Sequence, residues 1–166
     1  MKKKLIVSTL AIAIASMTVA FPVQQQASAA QSNVMAKKTT KSYTYNVLGT
    51  KSKAIQSKSS FYVQNIDFVE NVNKGKFAFN LGSVGDYTLP ANFYKTNKAS
   101  FVRVESSKKL TVVAKKKNVK TPYKTFKNAY VLTKDGYKVS LAKGYGVVKV
   151  TYGKQTIFEL TKAKNH

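Results

Sequence analysis

Six carboxylates, one histidine and no cysteine are all that the chain offers to acid–base, nucleophilic or metal chemistry. The acids are Asp67, Glu70, Asp86, Glu105, Asp135 and Glu159. The histidine is the last residue, His166, where a terminus is expected to fray. A Ser-His-Asp or Cys-His relay needs a positioned base, and zinc needs clustered Cys, His or carboxylate ligands. The sequence shows neither. Asp67 and Glu70, the closest pair of acids, fall on opposite faces of an extended strand. A glycosidase built from distant acids needs one of them tuned upward, whereas surrounding positive charge pushes carboxyl pKa values down. Gly144-Tyr145-Gly146 sits among strand-like residues and reads as a bulge or tight bend, not a phosphate-cradling loop. The expectation is a protein that is not an enzyme, with no catalytic residue, metal or cofactor.

The chemistry that remains is that of ammonium groups. The formal net charge is +23, and losing Lys2, Lys3 and Lys4 with a leader would take it to +20. Arg103 is the sole arginine. Arginine's planar fork suits shaped anion pockets, while lysine acts as a mobile point charge. Such an excess attracts polyanions over a distance and repels itself within the monomer. The densest basic stretch is Lys115 to Lys124. Candidate polyanion contacts are Lys108, Lys109, Lys115, Lys116, Lys117, Lys120, Lys124 and Lys127. Tyr123 and Phe126 are interleaved with them, as aromatic residues are in single-strand binders. Acidic cell-wall or matrix polymers, such as teichoic acid and extracellular DNA, are the expected partners.

A second candidate activity is self-association. GVVKVTY (146–152), TIFEL (156–160) and KFAFNL (76–81) combine β-propensity, apolar content and no proline. Val148, Val150, Tyr152, Ile157, Phe158 and Leu160 are the candidate self-assembly residues. Interspersed lysines would act as gatekeepers, so that neutralising them would let these segments pair between molecules.

These residues need strands to position them. Tyr137, Val139 and Leu141 alternate with Lys138 and Ser140, and Val148, Val150 and Tyr152 alternate with Lys149 and Thr151. That is the period-two pattern of strands with one buried face. Asp135-Gly136 and Gly153-Lys154 suit two-residue hairpin loops. Further strands are expected over 43–47, over 61–72 with a bend near 65–66, over 77–81, and as a hairpin from 101–105 and 110–114. Gly49 to Ser60 reads as a basic, serine-rich loop, and 82–97 as mostly loop around a short strand. Pro122 keeps its neighbourhood out of a central strand. The sum is about nine short strands in an all-β antiparallel sandwich, barrel or rolled sheet.

At the N-terminus, three lysines precede the apolar run Leu5 to Ala20, followed by Ala27-Ser28-Ala29. This is a secretory signal peptide over 1–29, leaving no transmembrane segment after cleavage. A flexible tail is expected over 30–42, a single domain over 43–161 and a polar tail over 162–166. Without cysteine, the domain depends on its hydrophobic core.

The MKKK…ASA leader, the size, the lysine richness, the absence of cysteine and the β-rich body resemble the small basic proteins of staphylococci. The resemblance covers the chain in overall character, without a diagnostic motif. It implies a biofilm-matrix scaffold, secreted and held non-covalently at the cell surface or in the matrix. It also implies partnership with the accumulation-associated surface protein and with intercellular polysaccharide, and amyloid-like assembly. A host-directed immune-evasion module and a cationic antimicrobial protein are the alternative classes.

Overall fold

The computed structural model describes residues 35–57, 60–63, 66–106 and 108–166; the expected signal peptide lies outside them. Thirteen strands form one antiparallel sheet that curls into a nearly closed barrel. The first eight run β1 (Lys41–Val47), β2 (Thr50–Ser57), β3 (Ser60–Val63), β4 (Phe68–Asn73), β5 (Lys76–Leu81), β6 (Asp86–Leu89), β7 (Lys98–Val102) and β8 (Lys109–Val113). The remaining five are β9 (Lys115–Lys120), β10 (Thr125–Lys134), β11 (Tyr137–Ala142), β12 (Gly146–Tyr152) and β13 (Gln155–Asn165). One helical turn, α1 (Phe93–Thr96), precedes β7.

Two up-and-down meanders meet where the first strand pairs with the last: β1 runs antiparallel to β13 from Lys41↔Asn165 to Val47↔Phe158. The edges of the sheet are then β8 and β9, neighbours in sequence separated only by Ala114. The chain crosses the seam there instead of pairing across it. The Ala114 N–H donates to the Asn97 carbonyl at 2.7 Å and prolongs the β7–β8 ladder up to the crossing. Across the seam, the Phe93 and Tyr130 rings lie 5.1 Å apart, and Arg103 grips Asp135 through two nitrogens at 2.7 and 3.0 Å. The sole arginine is thus a clip between the segment after β7 and the β10–β11 turn, using the bidentate geometry that lysine lacks.

Alternation fills the interior. Tyr43, Tyr45 and Val47 of β1, Phe77 and Phe79 of β5, Tyr87 and Leu89 of β6, and Val139 and Leu141 of β11 are all buried. Tyr45 stacks on Phe158 at 4.2 Å, and Phe158 lies 4.7 Å from Phe68. Phe79, Tyr87 and Phe101 continue the aromatic layer at 4.8 and 4.6 Å. Asp135 and Gly136, with φ of 50° and 80°, form the left-handed pair that a two-residue hairpin of matching twist requires.

Several expectations change. Thirteen strands replace about nine, because short polar strands are recruited by neighbours on both sides. Gly49 to Ser60 contains strand β2, which pairs with β1 and β3 and buries Ser52. The 61–72 stretch splits into β3 and β4. The expected tail over 30–42 is ordered from Met35 onward, with Met35 and Lys37 buried and β1 beginning at Lys41. The expected tail over 162–166 is the end of β13, and the His166 N–H donates to the Thr40 carbonyl at 3.1 Å. For β2 and the end of β13, ladder hydrogen bonds override a polar composition, since strand formation depends more on context than on propensity.

Candidate functional site

On the outside of the second meander, β9 to β12 enclose a groove of about 630 Å³. Lys115, Lys117 and Lys120 line it from β9, Lys138 from β11 and Lys149 from β12. Its floor is Val119, Val131 and Ser140, all buried, with Thr133 and Thr151 between the lysines. The register explains the grouping. Lys115 lies opposite Val131, which lies opposite Ser140, which lies opposite Lys149. One transverse row across four strands therefore carries a lysine at each end. The next row sets Thr133 opposite Lys138 and Lys138 opposite Thr151.

Lys149 is committed: its Nζ donates to Glu159 Oε2 at 2.9 Å and to the Lys120 carbonyl at 3.3 Å. Lys115, Lys117, Lys120 and Lys138 have no carboxylate partner among the described residues. Two of the acids that could offset them are occupied elsewhere. Glu70 is inside the barrel with Lys37, and Asp135 is held by Arg103 and Lys134. The Arg103 hydrogen bond keeps the Asp135 carboxyl below its usual range. The groove is a concave concentration of unpaired positive charge with hydroxyl donors along it. Chemically it can hold a strand of anionic groups. Among the described residues no three His, Cys, Asp or Glu side chains come together.

Of the expected polyanion contacts, Lys115, Lys117 and Lys120 are in the groove. Lys116 turns away and lies over the Tyr130 ring at 5.4 Å. Lys108 and Lys109 are exposed at the start of β8, and Lys127 is exposed beside the β9–β10 bulge. Lys124 caps an aromatic cluster, 5.4, 4.9 and 4.2 Å from the rings of Tyr123, Phe126 and Tyr145. Its Nζ donates to the Tyr145 hydroxyl at 3.0 Å and lowers that phenol's pKa. Phe126 is buried, and the exposed Lys124 side chain lies over the half-buried Tyr123 and Tyr145 rings, so these rings form no open platform for stacked bases. Sequence reading missed Lys138 and Lys149 as groove residues. Their outward phase was visible in the alternation, but their placement beside β9 depends on strand order.

Of the expected self-assembly residues, Val148, Val150, Phe158 and Leu160 are buried, Ile157 is half-buried and Tyr152 is exposed. β12 and β13 are paired on both sides, so the folded barrel presents neither as an edge.

A second charged arrangement lies inside. Glu70 follows the inward phase of Phe68 and Val72 on β4 and is 1% exposed. Its Oε1 accepts the Val147 N–H at 2.7 Å. That donor is free because the β11–β12 register skips Val148: Ser140 pairs with Lys149 and Leu141 with Val147. Such bulges re-aim groups out of a ladder. Glu70 Oε2 forms an ion pair with Lys37 Nζ, which lies 5.4 to 5.8 Å from the rings of Tyr43, Tyr45, Phe61 and Phe68. Burial pushes the Glu70 pKa up and the Lys37 pKa down, each opposed by the attraction of the other. The inward phase of Glu70 was readable in Phe68-Glu70-Val72, but nothing in the polar run around Lys37 announces its partner.

No family model, curated protein or solved structure matches the chain.

Proposed function

We propose that this is a secreted, non-enzymatic cationic protein that holds anionic polymers in an extracellular matrix, with the β9–β12 groove as its main contact. The observation that carries this reading is the groove itself: four lysines on one concave face, without carboxylate partners among the described residues. Solubility alone does not require so large an excess of one sign on a small domain. Lysine point charges with interspersed hydroxyls suit a repeating phosphodiester backbone, as in teichoic acid or extracellular DNA, more than a shaped monovalent anion. Acidic stretches of a surface protein would be held by the same charge. Retention at the surface or in the matrix would then be non-covalent and sensitive to salt. Neutralisation by a polymer would also relieve repulsion between copies and favour association. Because β12 and β13 are interior strands, association through them requires the barrel to open, whereas β8 and β9 are the strands with a free edge.

The test is binding of single-stranded DNA and teichoic acid across a range of salt. Binding should weaken linearly in log salt. Replacing Lys115, Lys117, Lys120 and Lys138 by Thr should reduce the DNA slope by roughly 3 units. An unchanged slope would move binding away from the groove, and no salt-dependent binding of the parent chain would sink the reading.

A further inference from the structure

The barrel interior contains a built receptor for an ammonium group, and its guest comes from outside the barrel strands. The receptor consists of Glu70, the rings around it and the β12 backbone. Its fit to the carboxylate is tight at Gly146, where φ is +63° and an added Cβ would collide with the Glu70 carboxylate. The guest is Lys37, with a side chain 0% exposed, on a short arm ahead of β1. Backbone groups hold the arm in place. The Gly146 N–H donates to the Met35 carbonyl at 2.7 Å, and the Lys38 N–H contacts the Gly144 carbonyl at 3.4 Å. The Lys38 N–H also donates to the Tyr43 hydroxyl at 2.8 Å. An exposed turn closed by Lys41 N–H to Lys38 carbonyl at 3.2 Å joins the arm to β1.

A buried ion pair is a poor way to gain stability, since apolar residues of similar volume usually do as well or better. Its best-attested use is to fix which residue docks and in what register. One ammonium seated on one carboxylate within a ring of aromatic faces does that for the arm. Receptor and guest are separate parts of the chain joined by a short exposed turn, the kind of connection across which an identical element can be traded between copies.

We infer that the Glu70 cage is an arm-exchange site, in which the 35–38 segment of one copy seats its Lys37 ammonium in the barrel of a second copy. Exchange creates no new contact inside the cage; it transfers an existing one. Its extent is set by competition with the tethered arm, whose effective concentration is of order millimolar for a short linker. Exchanged chains therefore appear as protein concentration approaches that range, as on a crowded surface. Because every copy has one arm and one cage, exchange can close as a dimer or continue as a chain. This inference does not depend on polymer binding by the groove.

The test uses the full chain with Lys38→Cys and Gly144→Cys, which leaves Lys37 and Glu70 intact. A Cβ at 144 points at the Lys38 side chain, 3.4 Å from its Cε, and the sequence has no other thiol. The protein is equilibrated at concentrations from about micromolar to about millimolar and then oxidised, and the linkages are mapped by peptide mass spectrometry. The expected result is intrachain linkage when dilute and a rising share of 38-to-144 linkage between copies when concentrated, at least tenfold over that range. Intrachain linkage at every concentration, or interchain links that map elsewhere, would overturn the inference. A charge-swapped pair gives an independent measurement. Lys37→Glu and Glu70→Lys chains each bring like charges together, and only mixing them restores opposite charges at both cages. Native mass spectrometry should show a heterodimer in the mixture and monomers in each alone. Two folded variants that stay monomeric when mixed would equally overturn it.

Discussion

Inside the barrel, a single ammonium is matched to a single carboxylate, enclosed by four rings and removed from water. Outside, along β9 to β12, several ammonium groups share one concave face without carboxylate partners among the described residues, and keep their solvent. The residue type is the same and the solvent differs. In the interior, loss of hydration is the largest cost, and removing one partner leaves the other charge stranded. On the surface, water screens each charge, and the like-charge neighbours repel. The comparison teaches that lysine count is a poor guide to lysine role here. One buried lysine bears on the integrity of the fold, while the groove lysines bear on what the fold attracts.

The largest effect that would break this contrast is at Glu70. Glu70→Ala leaves the Lys37 ammonium without its partner and should destabilise the protein by about 3–5 kcal/mol, read by urea denaturation. The arm should also become cleavable by trypsin after Lys37 or Lys38. Replacing both partners, Lys37→Met with Glu70→Leu, should recover most of that loss, short of the parent by about 1–3 kcal/mol because the buried Val147 N–H loses its acceptor. If the single substitution cost no more than the double, the pair would not be the coupled unit described.

The next effect is alkaline. Burial raises the phenol of Tyr43 to about 12, partly offset by its bond to Lys38, and raises that of the fully buried Tyr45 well above its ordinary 10. A phenol whose pKa is raised in the folded state favours folding while it is protonated. Its contribution is complete below about 10, where the unfolded chain titrates, and is lost as pH rises through the folded value. The barrel should therefore lose stability between about pH 10 and 12, through residues surrounding the cage. Tyr45→Phe removes the hydroxyl that donates to the Val147 carbonyl at 3.3 Å, costing about 0.5–1.5 kcal/mol near neutrality. It should also make the alkaline decline shallower, as denaturant midpoints at pH 8 and 11 would show. A decline of unchanged steepness would assign the sensitivity to other groups.

Much of this architecture was readable from the chain. Val139 and Leu141, or Phe77 and Phe79, declare their inward face by alternation, and Asp135-Gly136 declares its turn by chemistry. Lys115, Lys117 and Lys120 declared a basic patch by density. What could not be read was anything requiring strand order. Lys138 joins the groove because β11 lies two strands from β9, and Lys37 meets Glu70 because a polar arm enters the barrel; both bring together residues far apart in sequence. Polar strands such as β2 were missed for a related reason: their pairing is supplied by neighbours and not by their own composition. Gly144-Tyr145-Gly146 marked a bend or bulge beside this stretch, but Val147-Val148-Lys149-Val150 contains no glycine or proline to place the register slip at Val148, which frees an N–H for Glu70.

The smallest effect has the opposite sign, and so sharpens the comparison most. Replacing Lys115, Lys117, Lys120 and Lys138 by Thr removes four positive charges from one face and loses no ion pair among the described residues. Threonine keeps β-propensity at strand positions, leaving relief of repulsion as the main electrostatic change. Each substitution should stay within about 0.5 kcal/mol, and together they should raise stability at low salt. The gain should fade by about 1 M salt, where the screening length falls to roughly 3 Å. Glu70→Ala should remain destabilising throughout, because a buried charge is screened far less than an exposed one. Denaturation of both variants at low and high salt puts the two regions on one axis. A groove variant less stable than its parent at low salt would mean that these lysines contribute to the fold through their aliphatic stems, which can cover apolar surface such as Val119 and Val131. In that case the division between a structural interior lysine and recruiting exterior lysines would fail at the groove.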